Sequence, residues 1–167
     1  GKTPEMLKGP ATWSPPSTQS GLVAQAGMVS ILTRRDQFGA DAVGLQELLI
    51  YGLKGAAAYA DHAVALGLES DEVYAFFSEA LTHVVETPPS VDALFALNMK
   101  CGEVNLKVME MLDRAHTSTF GHPVPTPVRI EPVQGKCILV SGHDLHDLKV
   151  LLDQTEGKGI NIYTHGE

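Results

Sequence analysis

The last part of the chain decides the fold, and over residues 135–167 it has the sequence GKCILVSGHDLHDLKVLLDQTEGKGINIYTHGE. Residues 137–140 are apolar and rich in β-favouring side chains, so they predict a short strand that stops at the following Ser-Gly pair. Asp144 is a good helix cap, and leucines recur after it at helical spacing. Glycines end that predicted helix, and residues 160–164 then predict a second short strand.

This order of elements has a consequence for the chemistry of the chain. Strand, helix and strand within about 30 residues form a βαβ unit, in which the two strands run parallel with a right-handed crossover. Both strands then end at the same edge of the sheet, which is where open α/β sheets bind ligands. His143 and Glu167 each follow one strand end. An imidazole and a carboxylate at one edge indicate a metal site or an acid–base pair.

Several interpretations of this edge stay open on spacing alone. Two ligands do not define a metal site, because tetrahedral and cluster sites need four or more. His146 and His165 are further candidates, since His146 lies three residues after His143 on the predicted helix. In the alternative interpretation, His143 is a capping residue and Glu167 is only a chain-end residue. A nucleophilic pair of Ser141 with His143 is possible but disfavoured.

The composition limits the class of protein. The chain has 167 residues, of which 44% are hydrophobic and 19% are charged, and its formal net charge is −8. The negative charge argues against binding to nucleic acid and against a basic membrane-binding patch. No apolar run approaches the ~20 residues of a membrane span. Cys101 and Cys137 lack CxxC spacing, so they are expected to be buried free thiols in a reducing, cytoplasmic compartment.

The middle of the chain predicts three helices, over about residues 41–66, 71–84 and 91–115, from apolar side chains at steps of three and four. Ser70 and Ser90 are the expected N-caps of the second and third helices. Short loops predict antiparallel neighbours, and therefore an up-down-up bundle. The predicted core positions are Leu45, Leu48, Leu49, Gly52, Leu53, Ala56, Ala60, Ala63, Val73, Phe76, Phe77, Ala80, Leu81, Val84, Leu94, Leu97, Cys101, Val104, Val108, Met111 and Leu112.

The predicted fold class is mainly α, with an up-down helical bundle followed by the first βαβ unit of a Rossmann-like α/β domain. Residues 1–40 are expected to be an irregular, Pro-rich segment with a short helix, and residues 41–120 the bundle. Residues 121–134 are a stiff, Pro-rich connector, and residues 135–167 begin a truncated α/β domain. A lone pair of parallel strands leaves unpaired edges, so we expect a fragment of a longer protein.

The block LVSGHDLHDLKVLLDQTEGKGINIYTHGE, residues 139–167, resembles the hybrid cluster protein family, also called prismane proteins or hydroxylamine reductases. The family hallmark is an aliphatic strand, SGHDL, a helix ending in QTEG, and then YTHGE. Two further stretches are similar to the family: LLIYGLKGAAAYADHA, residues 48–63, and AHTSTFGHP, residues 115–123. The resemblance covers about residues 40–167.

The resemblance implies a helical domain followed by two Rossmann-like domains. It also implies a cubane-type iron–sulfur cluster on N-terminal cysteines and a hybrid iron–sulfur–oxygen cluster between the domains. His143 matches the family's cluster-binding His in SGHDL, and Glu167 matches its cluster-binding Glu in THGE. Neither Cys101 nor Cys137 matches a ligand position. The chain alone is therefore expected to hold no complete cluster and to lack activity.

The function that follows from the resemblance is the reduction of hydroxylamine or action on nitric oxide, with electrons from a redox partner protein. The implied partners are the remainder of the same polypeptide, that redox protein and a small nitrogen substrate. A homo-oligomer of this piece is a further expectation. Two alternatives remain: a helical docking module with no redox role, and a relative of carbon monoxide dehydrogenase.

Overall fold

The computed structural model describes residues 14–142 and 144–165, which form a mainly helical chain with one small sheet. Among these residues, no helix combines the length and the apolar content that crossing a membrane requires. The elements in chain order are α1 Gln19–Val29, α2 Ile31–Phe38, α3 Ala40–Ala65, α4 Asp71–Val84, α5 Val91–Phe120, β1 Lys136–Val140, α6 Leu145–Thr155 and β2 Ile160–Thr164.

The three predicted bundle helices are confirmed as α3, α4 and α5, with small differences at their ends. The Ser90 hydroxyl accepts a hydrogen bond from the Ala93 N–H at 3.3 Å and so caps α5 as predicted. Ser70 precedes α4, but its side chain accepts no capping hydrogen bond. Helix α5 continues through Gly102 and ends at Gly121, whose positive φ of 85° stops a helix.

The segment before the bundle differs from its prediction. One short helix was expected within residues 1–40, whereas the structure has two helices there, α1 and α2. They separate at Ser30, whose backbone is extended and whose hydroxyl accepts from the Leu32 N–H at 3.2 Å. A serine that caps a new helix therefore divides the segment, a signal that the sequence contained and the prediction overlooked.

Two ion pairs show that α4 and α5 run in opposite directions. Lys100 of α5 lies 2.6 Å from the Glu79 carboxylate of α4, and Lys107 pairs with Glu72. From one ion pair to the next, the residue number rises on α5 and falls on α4, so the two helices are antiparallel. The lysines and glutamates are about half exposed, so these ion pairs favour the antiparallel direction of α4 and α5 but add little to the stability of the fold.

The contacts between α3 and α5 run in the same order along both helices. The Asn98 side-chain amide donates to the Leu45 carbonyl at 3.0 Å. Further along both helices, Gly52 of α3 lies against Cys101 of α5, because a Cβ added to Gly52 would lie 3.0 Å from the Cys101 sulfur. The helices are therefore parallel and closely packed at Gly52, and together with the antiparallel α4 they confirm the up-down-up bundle.

Most of the predicted core is buried between these helices, but two predicted positions are wrong. Leu48 is 61% exposed and Leu81 is 56% exposed, whereas their neighbours Leu49 and Ala80 are fully buried. Adjacent residues on a helix point about 100° apart, so both members of such a pair cannot face the same core. The buried cluster consists of Leu49, Leu53, Ala60, Ala63, Val73, Phe76, Ala80, Leu94, Leu97, Cys101, Val104, Val108, Met111 and Ala115.

The two strands pair in parallel, as predicted, with Lys136 opposite Ile160 and Val140 opposite Thr164. Helix α6 connects them in the chain. The predicted burial of β1 is wrong, because four of its five residues are exposed, including Cys137. Cys101, by contrast, is buried as predicted. No other strand among the described residues pairs with this sheet, so β1 has no neighbour on its other side.

Thiol labelling of the chain is expected to separate the two cysteines. Iodoacetamide should modify Cys137 at least about tenfold faster than Cys101, since alkylation needs an accessible thiolate. Burial both shields Cys101 and raises the pKa of its thiol. Timed labelling followed by peptide mass spectrometry measures the two rates. Equal rates in the folded chain would contradict the placement of Cys101, and equal rates in urea provide the control.

Candidate functional site

The carboxyl ends of the two strands form the candidate site. Val140 and Thr164 are register partners, and they are the last residues of β1 and β2. The His165 N–H donates to the Val140 carbonyl at 3.0 Å, so the ladder extends one step past the pair. Both segments therefore leave the sheet at the same level of the same edge, as predicted.

The two predicted ligands, His143 and Glu167, lie outside the described residues. In the sequence each stands three positions beyond the Val140–Thr164 pair. Segments of equal length therefore connect both donors to one point of the sheet. The position of their side chains stays a prediction.

Asp144 fixes the start of helix α6 directly after this edge. Its carboxylate accepts a hydrogen bond from the Asp147 N–H at 3.0 Å, which confirms the predicted cap. This hydrogen bond is the main reason that the pKa of Asp144 lies below its ordinary value; a weaker one from the His146 N–H acts in the same direction. Gly142, at a φ of 140°, lets the chain turn between β1 and α6.

His62 connects this turn to the helical bundle, and the sequence did not predict that contact. It lies near the end of α3, and its Nε2 is 3.9 Å from an oxygen of Asp144. The Tyr59 ring stands edge-on to the imidazole, with 6.5 Å between the centroids. His62 is half-buried. The contact depends on how α3 meets α6, which helical spacing alone cannot predict.

The other candidate donors of this part of the chain are Cys137, His146 and His165. No group of three or more His, Cys, Asp or Glu side chains within residues 14–142 and 144–165 could hold a metal ion. Cys137 is near the start of β1, opposite Asn161, so it sits at the other end of the strand from the candidate site. His146 and His165 are both exposed. His165 directly follows β2 at the candidate edge.

Comparisons with known proteins agree with the resemblance that the motifs suggested. The Prismane/CO dehydrogenase family matches residues 6–167. A hydroxylamine reductase of Rhodospirillum rubrum is 53% identical over 165 residues, which are 99% of this chain and 30% of that protein. One from Acidithiobacillus ferrooxidans is 50% identical over 167 residues, with 100% and 30% covered. One from Syntrophobacter fumaroxidans is 54% identical over 157 residues, with 94% and 29% covered. The chain thus spans about 30% of the length of the relatives it matches.

Proposed function

This chain belongs to the Prismane/CO dehydrogenase family, and we propose that it forms part of an iron–sulfur oxidoreductase that reduces hydroxylamine. Relatives named hydroxylamine reductase, about half identical to it along nearly its whole length, support this proposal. The structural observation that carries it is the common edge at which the two parallel strands end, because ligands bind at such edges.

In this proposal, His143 and Glu167 hold iron of a hybrid iron–sulfur–oxygen cluster. Nitrogen and oxygen donors suit the oxygen-bridged part of such a cluster, whereas thiolates from elsewhere in the whole protein would hold its sulfur part. The parallel strands and α6 form the first βαβ unit of a Rossmann-like domain. When bound, the cluster supplies two electrons, which with two protons convert hydroxylamine to ammonia and water.

The residues of this chain position the proposed cluster ligands and do not supply electrons. The ladder from Val140 to His165 keeps the two ligand-bearing segments side by side. The cap at Asp144 sets where α6 begins, and the contact of Asp144 with His62 ties that point to α3. Such support around a metal site fixes the orientation of its ligands. A separate cubane-type cluster and a redox partner protein would deliver the electrons, in the cytoplasm.

We expect the isolated chain to bind no complete cluster, because it offers two ligands and its cysteines lie elsewhere. Anaerobic reconstitution followed by iron and sulfide analysis tests this. The 167-residue chain should hold far less than one cluster per chain, and the full-length protein should hold its full cluster content. Stoichiometric cluster in the short chain would overturn the first expectation. Absence of iron from the reconstituted full-length protein would overturn the proposed function.

A relative of carbon monoxide dehydrogenase is the second candidate, because the matching family also carries that name. The two candidates differ in substrate and can be assayed side by side with the same reduced or oxidised dye. Carbon monoxide oxidation without hydroxylamine reduction by the full-length protein would favour this second candidate. The names of the relatives favour the first.

A further inference from the structure

The Pro-rich connector between the bundle and the sheet is attached to β2 through one side chain. The Tyr163 hydroxyl accepts a hydrogen bond from the Val133 N–H, with 2.6 Å between the oxygen and the nitrogen. The same hydroxyl lies 3.5 Å from the Val133 carbonyl oxygen, to which it donates. One side chain of β2 therefore contacts both backbone polar groups of one connector residue. We call this contact the Tyr163 latch.

A second close approach shows how the connector lies on the sheet. A Cβ added to Gly135 would lie 3.2 Å from the side-chain nitrogen of Asn161. Asn161 and Tyr163 are two positions apart on β2, so their side chains project from the same face of the sheet. Residues 133–135 therefore cross that face from Tyr163 towards Asn161, against the direction of β2. Gly135, at a φ of 136°, then lets the chain reverse into β1.

The latch adds an attachment to a strand that has little other support. Within the described residues, β2 pairs only with β1, and an isolated pair of strands is marginally stable at best. Tyr163 stands opposite Leu139, one step before the Val140–Thr164 pair at which both strands end. The latch therefore holds β2 close to its carboxyl end, at the edge that forms the candidate site.

The connector can pass this restraint on to the bundle because it is stiff. Four of its residues are prolines, which fix their own φ angles, and Pro-rich segments act as semi-rigid spacers. One of them, Pro132, directly precedes the latched residue, and the other end of the connector follows α5. The end of β2 is thus tied to the bundle by a route separate from the contact of Asp144 with His62.

We propose that Tyr163 is a positioning residue for the cluster site, because the latch holds the end of β2 from which the chain continues to Glu167. The inference rests on the proposed function, in which Glu167 binds iron. Groups that support a metal ligand without touching the metal commonly contribute about 10–100-fold to metal affinity or activity. Tyr163 acts through the position of β2 and makes no contact with the substrate. The hydroxyl carries this role, and the aromatic ring alone does not replace it.

The variant Tyr163→Phe in the full-length protein removes the latch and keeps the ring. The Val133 N–H then loses its acceptor, so its hydrogen exchange should become at least about tenfold faster. Exchange with electron-transfer fragmentation resolves this amide, since the preceding Pro132 has no N–H. The amides of α5 should keep their wild-type rates, which shows that the bundle is intact. An unchanged rate at Val133 would refute the latch.

The same variant tests the positioning role in the reconstituted full-length protein. Hydroxylamine reduction should fall about tenfold or more in kcat, because the ligand carried by the segment after β2 is no longer held in place. The lines of the reduced cluster in the electron paramagnetic resonance spectrum should shift for the same reason. Faster exchange at Val133 with unchanged activity and an unchanged spectrum would mean that the latch supports only the fold, which contradicts the proposal.

Tyr74→Phe is the matched control, since it removes the same oxygen from another hydrogen-bonded tyrosine. The Tyr74 hydroxyl donates to a Glu69 carboxylate oxygen at 3.3 Å, at the start of α4. Exchange at Val133, activity and spectrum should all keep their wild-type values in this variant. Equal losses of activity in the two variants would overturn the role of Tyr163.

The hydrogen-exchange measurement also separates the latch from the proposed function, because it is made with and without iron. Absence of iron from the reconstituted wild-type protein would overturn the proposed function, and the positioning role with it. Exchange at Val133 would still show whether Tyr163 holds the connector. Unchanged exchange in an iron-containing Tyr163→Phe protein would overturn the latch alone and leave the proposed function standing.

Discussion

Replacing His143 by alanine in the full-length protein is expected to remove hydroxylamine reduction almost completely. The loss should exceed about 100-fold in kcat, because even residues that only support a metal ligand commonly contribute 10–100-fold. The iron content of the hybrid cluster should fall with the activity, since the alanine side chain donates no electron pair. Activity assays with a reduced dye, together with iron analysis of the same sample, measure both effects.

The matched control is His146→Ala, three residues further along the same segment. His146 is exposed and lies on α6 beyond the cap at Asp144, so its loss should change activity by less than about threefold. Two results would contradict the assignment: equal losses in the two variants, or full iron content and activity in His143→Ala. Circular dichroism of both variants checks that the helices are retained.

The largest expected effect on stability comes from Leu49→Ala in the centre of the bundle. Leu49 is completely buried in the core cluster of α3, α4 and α5. Truncation to alanine removes buried apolar surface and leaves a cavity, which costs about 2–5 kcal/mol for a buried leucine. Urea unfolding of the chain, followed by helical circular dichroism, measures the change in the free energy of unfolding.

The preceding residue offers an unusually close control. Leu48→Ala makes the same chemical change one position earlier, on a side chain that is 61% exposed. Its free energy of unfolding should change by less than about 0.5 kcal/mol, as for most surface substitutions. A loss at Leu48 as large as that at Leu49 would mean that the helix is rotated relative to the structure.

The sequence predicted the elements well where local signals agreed with each other. The limits of α3 follow from apolar spacing and from Gly67, which has a positive φ of 84°. Parallel pairing of the strands follows from a helix lying between them in the chain. Each of these depends on residues close together in sequence, so little knowledge of packing is needed.

The errors arose where burial depends on what lies across from a residue. Leu48 and Leu49 are identical in type, and apolar spacing alone assigned both to the core. Cys137 opens an apolar strand that was expected to be buried, yet apart from β2 no strand of the described chain lies beside it. Local sequence carries no information on whether a neighbour is present.

In the candidate site, too, some features could be predicted from local sequence and others could not. The common edge of β1 and β2 and the cap at Asp144 could be predicted, because each follows from residues within one βαβ unit. The contact between His62 and Asp144 could not, since 82 positions separate the two residues in the sequence. It becomes visible only when the bundle and α6 are placed together. Its only sequence signal was the position of His62 in the motif of residues 48–63.

Pulsed electron paramagnetic resonance of the reduced full-length protein, with nitrogen-15 in its histidines, tests the central claim most directly. If His143 binds the cluster at this sheet edge, the cluster signal should show coupling to one histidine nitrogen. That coupling should persist in His146→Ala and disappear in His143→Ala. An unchanged nitrogen coupling in His143→Ala would show that the cluster takes its histidine from elsewhere.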